Sequence, residues 1–165
     1  MHDTIVRTGQ PQDMPITMEM AREVARENGI VQMDEKKVAQ EFWPALNLDG
    51  GIVGIIGEDR TAPEGFILLR VARQWYSSDP TLEERVAFVR ADYRAKKGGR
   101  ARKLCEFAKH TAETLRLPLT IGILSNQRTE AKIRLYKRVF GEPAGAFWLI
   151  GATTGAAYGD PLQND

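Results

Sequence analysis

Residues 93–104 read YRAKKGGRARKL, six positive charges and two adjacent glycines in a dozen residues without an acid. Before them lies RVAFVR (85–90), an apolar run of strand type. After them Ala101, Leu104, Cys105, Ala108, Ala112 and Leu115 recur at spacings of three and four, with Lys, Arg, Glu and His on the other faces. The order predicts a strand, a basic turn and an amphipathic helix, so Gly98 and Gly99 fall at a helix N-terminus. There the first N–H groups lack intrahelical partners and the helix dipole is positive, which makes the turn a receptor for phosphate. Glycine lets the backbone approach a ligand closely, and Arg94, Lys96, Lys97 and Arg100 would supply mobile positive charge. Together they suit a pyrophosphate.

The rest of the chain agrees with a compact ligand. Its 165 residues carry a formal net charge of only +1, so the basic turn is a local concentration balanced by acids elsewhere. With 42% hydrophobic and 27% charged residues, and neither repeats nor low-complexity tracts, it reads as one domain over residues 1–165, with 153–165 expected as a disordered tail. Cys105, the only cysteine, has no internal disulfide partner, and MHDTIVRTGQ lacks the basic start and apolar run of a signal peptide, so the expected location is cytoplasmic. No apolar run approaches the roughly 18 to 20 residues needed to cross a bilayer, and no membrane association is expected. His2 and His110 lack the companions of a metal site, so no metal is expected.

Hydrophobic periodicity places a first strand at residues 4–7 and a helix at 17–28 that stops at Gly29. Asp34 is positioned to cap a second helix, which Pro44 should kink or end near Trp43. Residues 50–57 and 66–76 read as an antiparallel pair, and 85–90 as their third neighbour. LTIGIL (119–124) is a covered strand, 131–139 a helix, and FGEPAGAFWLIG (140–151) a returning strand. The predicted order is β-α-α-β-β-β-α-β-α-β, an α/β fold with a mostly antiparallel first half. Trp43, Trp75 and Trp148 are expected in the core or as pocket walls, and Cys105 as a small apolar filler.

No GxxxxGK[ST] loop is present, nor a GxGxxG with an acid about 20 residues on. Instead, VRADYRAKKGGRARKL between strand and helix resembles the acetyl-CoA motif of the GNAT N-acetyltransferases: Arg or Gln, two residues, Gly, one residue, Gly or Ala. Arg94, Lys97 and Gly99 occupy those positions, with Lys97 replacing the first glycine and Gly98 beside it. IGILSNQRTEAKIRLYKRVFG resembles the family's later motif, a strand ending in Asn and a helix with a Tyr near its end before Gly; Asn126, Tyr136 and Gly141 match.

The resemblance implies a mixed, mostly antiparallel sheet of about six to seven strands with helices on both faces. It implies acetyl-CoA as cosubstrate and a primary amine as acceptor, with attack inside a ternary complex. Strands 85–90 and 119–124 would splay apart to admit the pantetheine arm against the backbone of Ala87, Phe88 and Val89. Ala95, Gly98, Gly99 and Ala101 would join the cations around the diphosphate, with Asn126 nearby. Val89 N–H is expected at the oxyanion, and Tyr136 to protonate the leaving sulfur. The base stays open among Glu83, Glu84, Glu19, Glu58 and a water relay. A homodimer is the expected assembly. The rival is a non-enzymatic nucleic-acid or protein-binding module using the patch at 90–103. Nucleic acid is disfavoured, because Tyr93 is the patch's one aromatic and the chain is nearly neutral.

Overall fold

In a computed structural model, described here over residues 4–125 and 128–152, a five-stranded sheet runs β1 (Val6–Thr8), β2 (Gly51–Ile56), β3 (Gly65–Arg73), β4 (Pro80–Val89) and β5 (Leu119–Thr120). The first four pair antiparallel in sequence order, and β5 joins β4 in parallel. Strict alternation along β3 builds both layers of core. Phe66 and Leu68 face α1 (Met14–Asn28) and α2 (Glu35–Leu46), among Met20, Phe42 and Leu46. Ile67 and Leu69 face α4 (Arg100–Leu115), among Leu104 and Ala108. Each such fully buried side chain contributes about 1.5 to 3 kcal/mol. Gly54 of β2 makes room for this second layer: a Cβ there would stand 2.7 Å from the Phe107 ring of α4.

Local chemistry sets the helix starts. The Asp13 carboxylate takes both terminal nitrogens of Arg7 at 2.8 and 2.7 Å, and Arg7 holds its carboxyl below the usual range. Asp34 caps α2 as expected, accepting from Lys37 N–H at 3.1 Å. Pro44 does not end that helix at Trp43. It continues to Leu46, whose side chain and that of Ala45 are buried in the core and hold the last turn in place.

The described residues contain five strands where six to seven were expected. Only Leu119 and Thr120 of LTIGIL pair with β4, and residues 121–125 leave the sheet. Residues 141–152 form no strand either: β5 stops too early to offer them a neighbour, and Gly141 turns the chain at φ 91°. Phe147 and Trp148 are consequently exposed. Trp75 and Tyr76 lie beyond the end of β3, in the turn before β4, and Trp75 is 95% exposed rather than in the core or a pocket wall. The helix expected at 131–139 forms as α5 (Thr129–Phe140), after the one-turn α3 (Ala91–Arg94) and α4. Residues 153–165 lie outside the described residues.

Candidate active site

The sheet opens where β4 and β5 part. Leu68 of β3 faces Val86 and Leu69 faces Glu84, so Arg85 is an extra residue that bulges β4. On the other edge, β5 pairs only with Leu82 and Glu83. Just past this point the Glu84 carboxylate, not a backbone carbonyl, accepts the Gly122 N–H at 3.3 Å. Arg90 N–H donates to the Glu64 carbonyl at 2.8 Å, and Phe88 faces Phe66. By the alternation of antiparallel pairing, the N–H and C=O of Ala87 and Val89 then point away from β3 into the gap. The gap is the mouth of a cleft of about 1040 Å³ lined by β4, the start of α4, residues 120–125 and α5, and by α1, α2 and the exposed Phe147 and Trp148, the last a pocket wall as expected.

At one end of β4 the basic turn closes the cleft. Gly98 (φ 125°) and Gly99 (φ 59°) both occupy the left-handed half of backbone space, where a side chain is strained. Gly99 is the N-cap of α4, and its carbonyl takes the first helical bond from Lys103 N–H at 2.9 Å. Gly98→Ala is expected to cost about 1 to 3 kcal/mol of local strain, read as a lower melting temperature.

Two cations expected to be mobile are held. Arg100 is buried with its guanidinium on the Glu64 carboxylate, and its Nη1 donates to the Lys97 carbonyl at 2.9 Å. It shapes the turn from within, where its charge is matched. Arg94 donates through Nε to the Val89 carbonyl at 2.7 Å and through Nη2 to Glu27 of α1 at 2.7 and 2.6 Å. Lys97, Ala95 and Ala101 are exposed around the turn, and Lys96 lies over the Tyr93 ring at 4.4 Å.

The bulge sorts the two candidate carboxylates. Glu83 points to the α2 side, pinned by Arg85 at 2.7 Å. Glu84 points into the cleft, where burial pushes its carboxyl up to about 7 against the opposing pull of the Gly122 N–H. Tyr136 of α5 lines the same cleft, edge-on to Phe140 at 5.4 Å. Burial first, then the nearby Cys105 and Glu84, push its phenol above the ordinary tyrosine value. Cys105 is 1% exposed, and burial pushes its thiol up to about 12, so it is a packed thiol with no nucleophilic character at neutral pH. Asn126 lies outside the described residues.

The fold has known relatives. An integron cassette protein from the mobile metagenome of Cole Harbour Salt Marsh superposes with a TM-score of 0.67 at 22% identity, over 87% of each chain. AAC(6')-Iy, solved with the bisubstrate analog CoA-S-monomethyl-acetylneamine, gives 0.67 at 14% identity, over 91% of this chain and 97% of its own. The ribosomal-protein-alanine N-acetyltransferase of Brucella melitensis biovar Abortus 2308 gives 0.64 at 14%, over 90% and 97%. This is the GNAT acetyltransferase fold. No protein-family model matches the chain, and no curated protein matches it in sequence.

Within the GNAT fold, the structure adds Lys132, Arg128, Glu23 and Glu27 to the residues expected around the cleft, and gives Glu19 and Arg90 partners. Lys132 and Arg128 line the cleft from α5 and its approach, and Lys132 Nζ donates to Ser125 Oγ at 2.6 Å. Glu19, Glu23 and Glu27 form a stripe on α1, and Arg90 takes the first two at 2.5 and 3.0 Å as Arg94 takes the third. Both sets repeat at i, i+4, a register visible in the sequence but unmarked as a pair across more than 60 residues.

Proposed function

We propose that the chain transfers an acetyl group from acetyl-CoA to a primary amine by direct attack in a ternary complex. The observation that carries this reading is the open edge of β4, with Ala87 and Val89 facing a cleft that ends at the glycine turn on the N-terminus of α4. An extended arm bearing amides can add to such an edge as a strand would, and a diphosphate suits the helix start that follows. The CoA-based analog held by AAC(6')-Iy on the same fold supports the choice of cosubstrate.

The residues divide the work along the strand. The backbone of Ala87, Phe88 and Val89 aligns the arm, while the turn from Ala95 to Ala101 receives the diphosphate with help from Lys96 and Lys97. Ala87 is nearer Glu84 than Val89 is, whereas Val89 is nearer the turn. Ala87 N–H is therefore better placed for the developing oxyanion than Val89 N–H, the sequence-based choice.

The amine nitrogen bonds to the acetyl carbon as the carbon–sulfur bond breaks. Glu84, directly or through water, takes the proton the ammonium must lose, and Tyr136 delivers one to the departing sulfur.

In a thermal-shift comparison, acetyl-CoA is expected to raise the melting temperature and a DNA or RNA oligonucleotide to leave it unchanged. Thiol release on adding amines from a broad panel then identifies the acceptor. Salt-sensitive stabilisation by the oligonucleotide with none by acetyl-CoA would replace the enzyme with a binding module on residues 90–103.

A further inference from the structure

We propose that Glu27 and Arg94 form a latch across the cleft: the Glu27 carboxylate stands in for a ligand anion, and holds Arg94 on the Val89 carbonyl that the pantetheine arm must claim. The inference rests on the acetyl-CoA reading above and adds to it a step of opening.

Arg94 ties the end of β4 to α1. Its Nε bonds the Val89 carbonyl, its Nη2 bonds both oxygens of Glu27, and its guanidinium lies 5.3 Å from the centre of the Phe88 ring. Side-chain exposure is 18% for Arg94 and 24% for Glu27, so the pair is fixed inside the cleft rather than loose at its rim. Val89 directs its carbonyl into the gap, where an incoming extended arm would pair with it. The same carbonyl cannot serve Arg94 and a strand-like ligand in the same geometry.

Helix stability does not account for Glu27. It lies in the last turn of α1, at the negative end of the helix dipole, where a carboxylate is unfavourable. What accounts for it is the cation cluster it faces. Lys132 senses Arg94, Glu27 and Arg128, and burial and the two arginines hold its ammonium below the ordinary lysine value. One internal carboxylate therefore bonds Arg94 of α3 and faces Lys132 of α5, two cations on separate elements, as a phosphate would. A bound diphosphate offers those cations a stronger anion, releases Arg94 from Val89, and leaves Glu27 to repel the newcomer or turn away. Arg90 keeps α1 on the strand end meanwhile through Glu19 and Glu23.

The test compares wild type with Glu27→Gln by calorimetric titration of two probes, CoA and uncharged pantetheine, the latter also by displacement of CoA at millimolar concentration. A latch predicts that Glu27→Gln tightens both, by about tenfold, the equivalent of one charge-assisted hydrogen bond no longer broken on binding. Tightening of CoA alone overturns the latch, because it reports only removal of a negative charge near an anion. Weaker binding of both, or pantetheine binding that is unchanged or undetectable in the variant, overturns it too, since Glu27 would then merely present Arg94. Should Glu27→Gln fail to fold, Arg94→Lys serves: a lysine keeps the charge but cannot span Val89 and Glu27, so pantetheine should again bind more tightly. Absence of CoA binding in wild type and variants alike would instead remove the acetyl-CoA reading itself.

Discussion

Tyr136→Phe is expected to lower turnover by about a hundredfold or more while CoA affinity stays within about twofold, the signature of losing a group that acts in the transition state. Phenylalanine keeps the ring and the edge-on contact with Phe140, and removes the hydroxyl together with its hydrogen bond to Cys105. The position favours an acid. Burial is the main reason the phenol is pushed up, with Cys105 and then Glu84 adding to it, so the phenolic oxygen keeps its proton at neutral pH. A phenol so held gives its proton up less readily, so the transfer would accompany carbon–sulfur cleavage as charge builds on the sulfur. Steady-state thiol release and calorimetry on the same preparations separate the two effects. Unchanged turnover would give the proton to water and leave Tyr136 as part of the cleft wall.

Features that depend on neighbouring residues were legible in the sequence. The glycine turn, the stripe of α4 and the apolar run of β3 each declare themselves within a dozen residues, and they place the sheet's centre and the turn at one end of the cleft. What stayed hidden depends on distant partners. Arg94 and Arg100 read as mobile cations because their acids, Glu27 and Glu64, lie 67 and 36 residues away. The bulge at Arg85 leaves no mark, since one extra residue in β4 changes which face each side chain takes without changing the composition. Yet that bulge turns Glu84 into the cleft and Glu83 away, and so separates two acids the sequence presents as equivalent. Residues 119–124 and 140–151 have strand composition, but a strand needs an edge to pair with, and β5 provides only two residues of it.

Glu84→Gln is expected to make the protein more stable above neutrality and far less active, because one burial causes both effects. The folded carboxyl titrates at about 7 against an ordinary 4.5, the shift arising from desolvation that the Gly122 N–H only partly offsets. Its folded value lies above its unfolded one, so the protonated side chain's contribution is complete below pH 4.5, is lost as pH rises toward 7, and is gone above. The loss across that window is on the order of 3 kcal/mol. Glutamine can still accept from Gly122 and carries no charge to desolvate. Its denaturation midpoint should therefore stay level from pH 4.5 to 8 while that of the wild type falls. Activity runs the other way: only ionised Glu84 takes a proton, so wild-type kcat/KM should climb to a plateau with a midpoint near 7. The variant should lack that limb and fall by about a hundredfold or more on the plateau. If Glu84→Gln keeps the limb, the proton leaves by another route, and the pH dependence of stability alone would belong to this carboxylate. If it loses both together, the cleft is a place where stability has been given up to keep a base half-ionised near neutral pH.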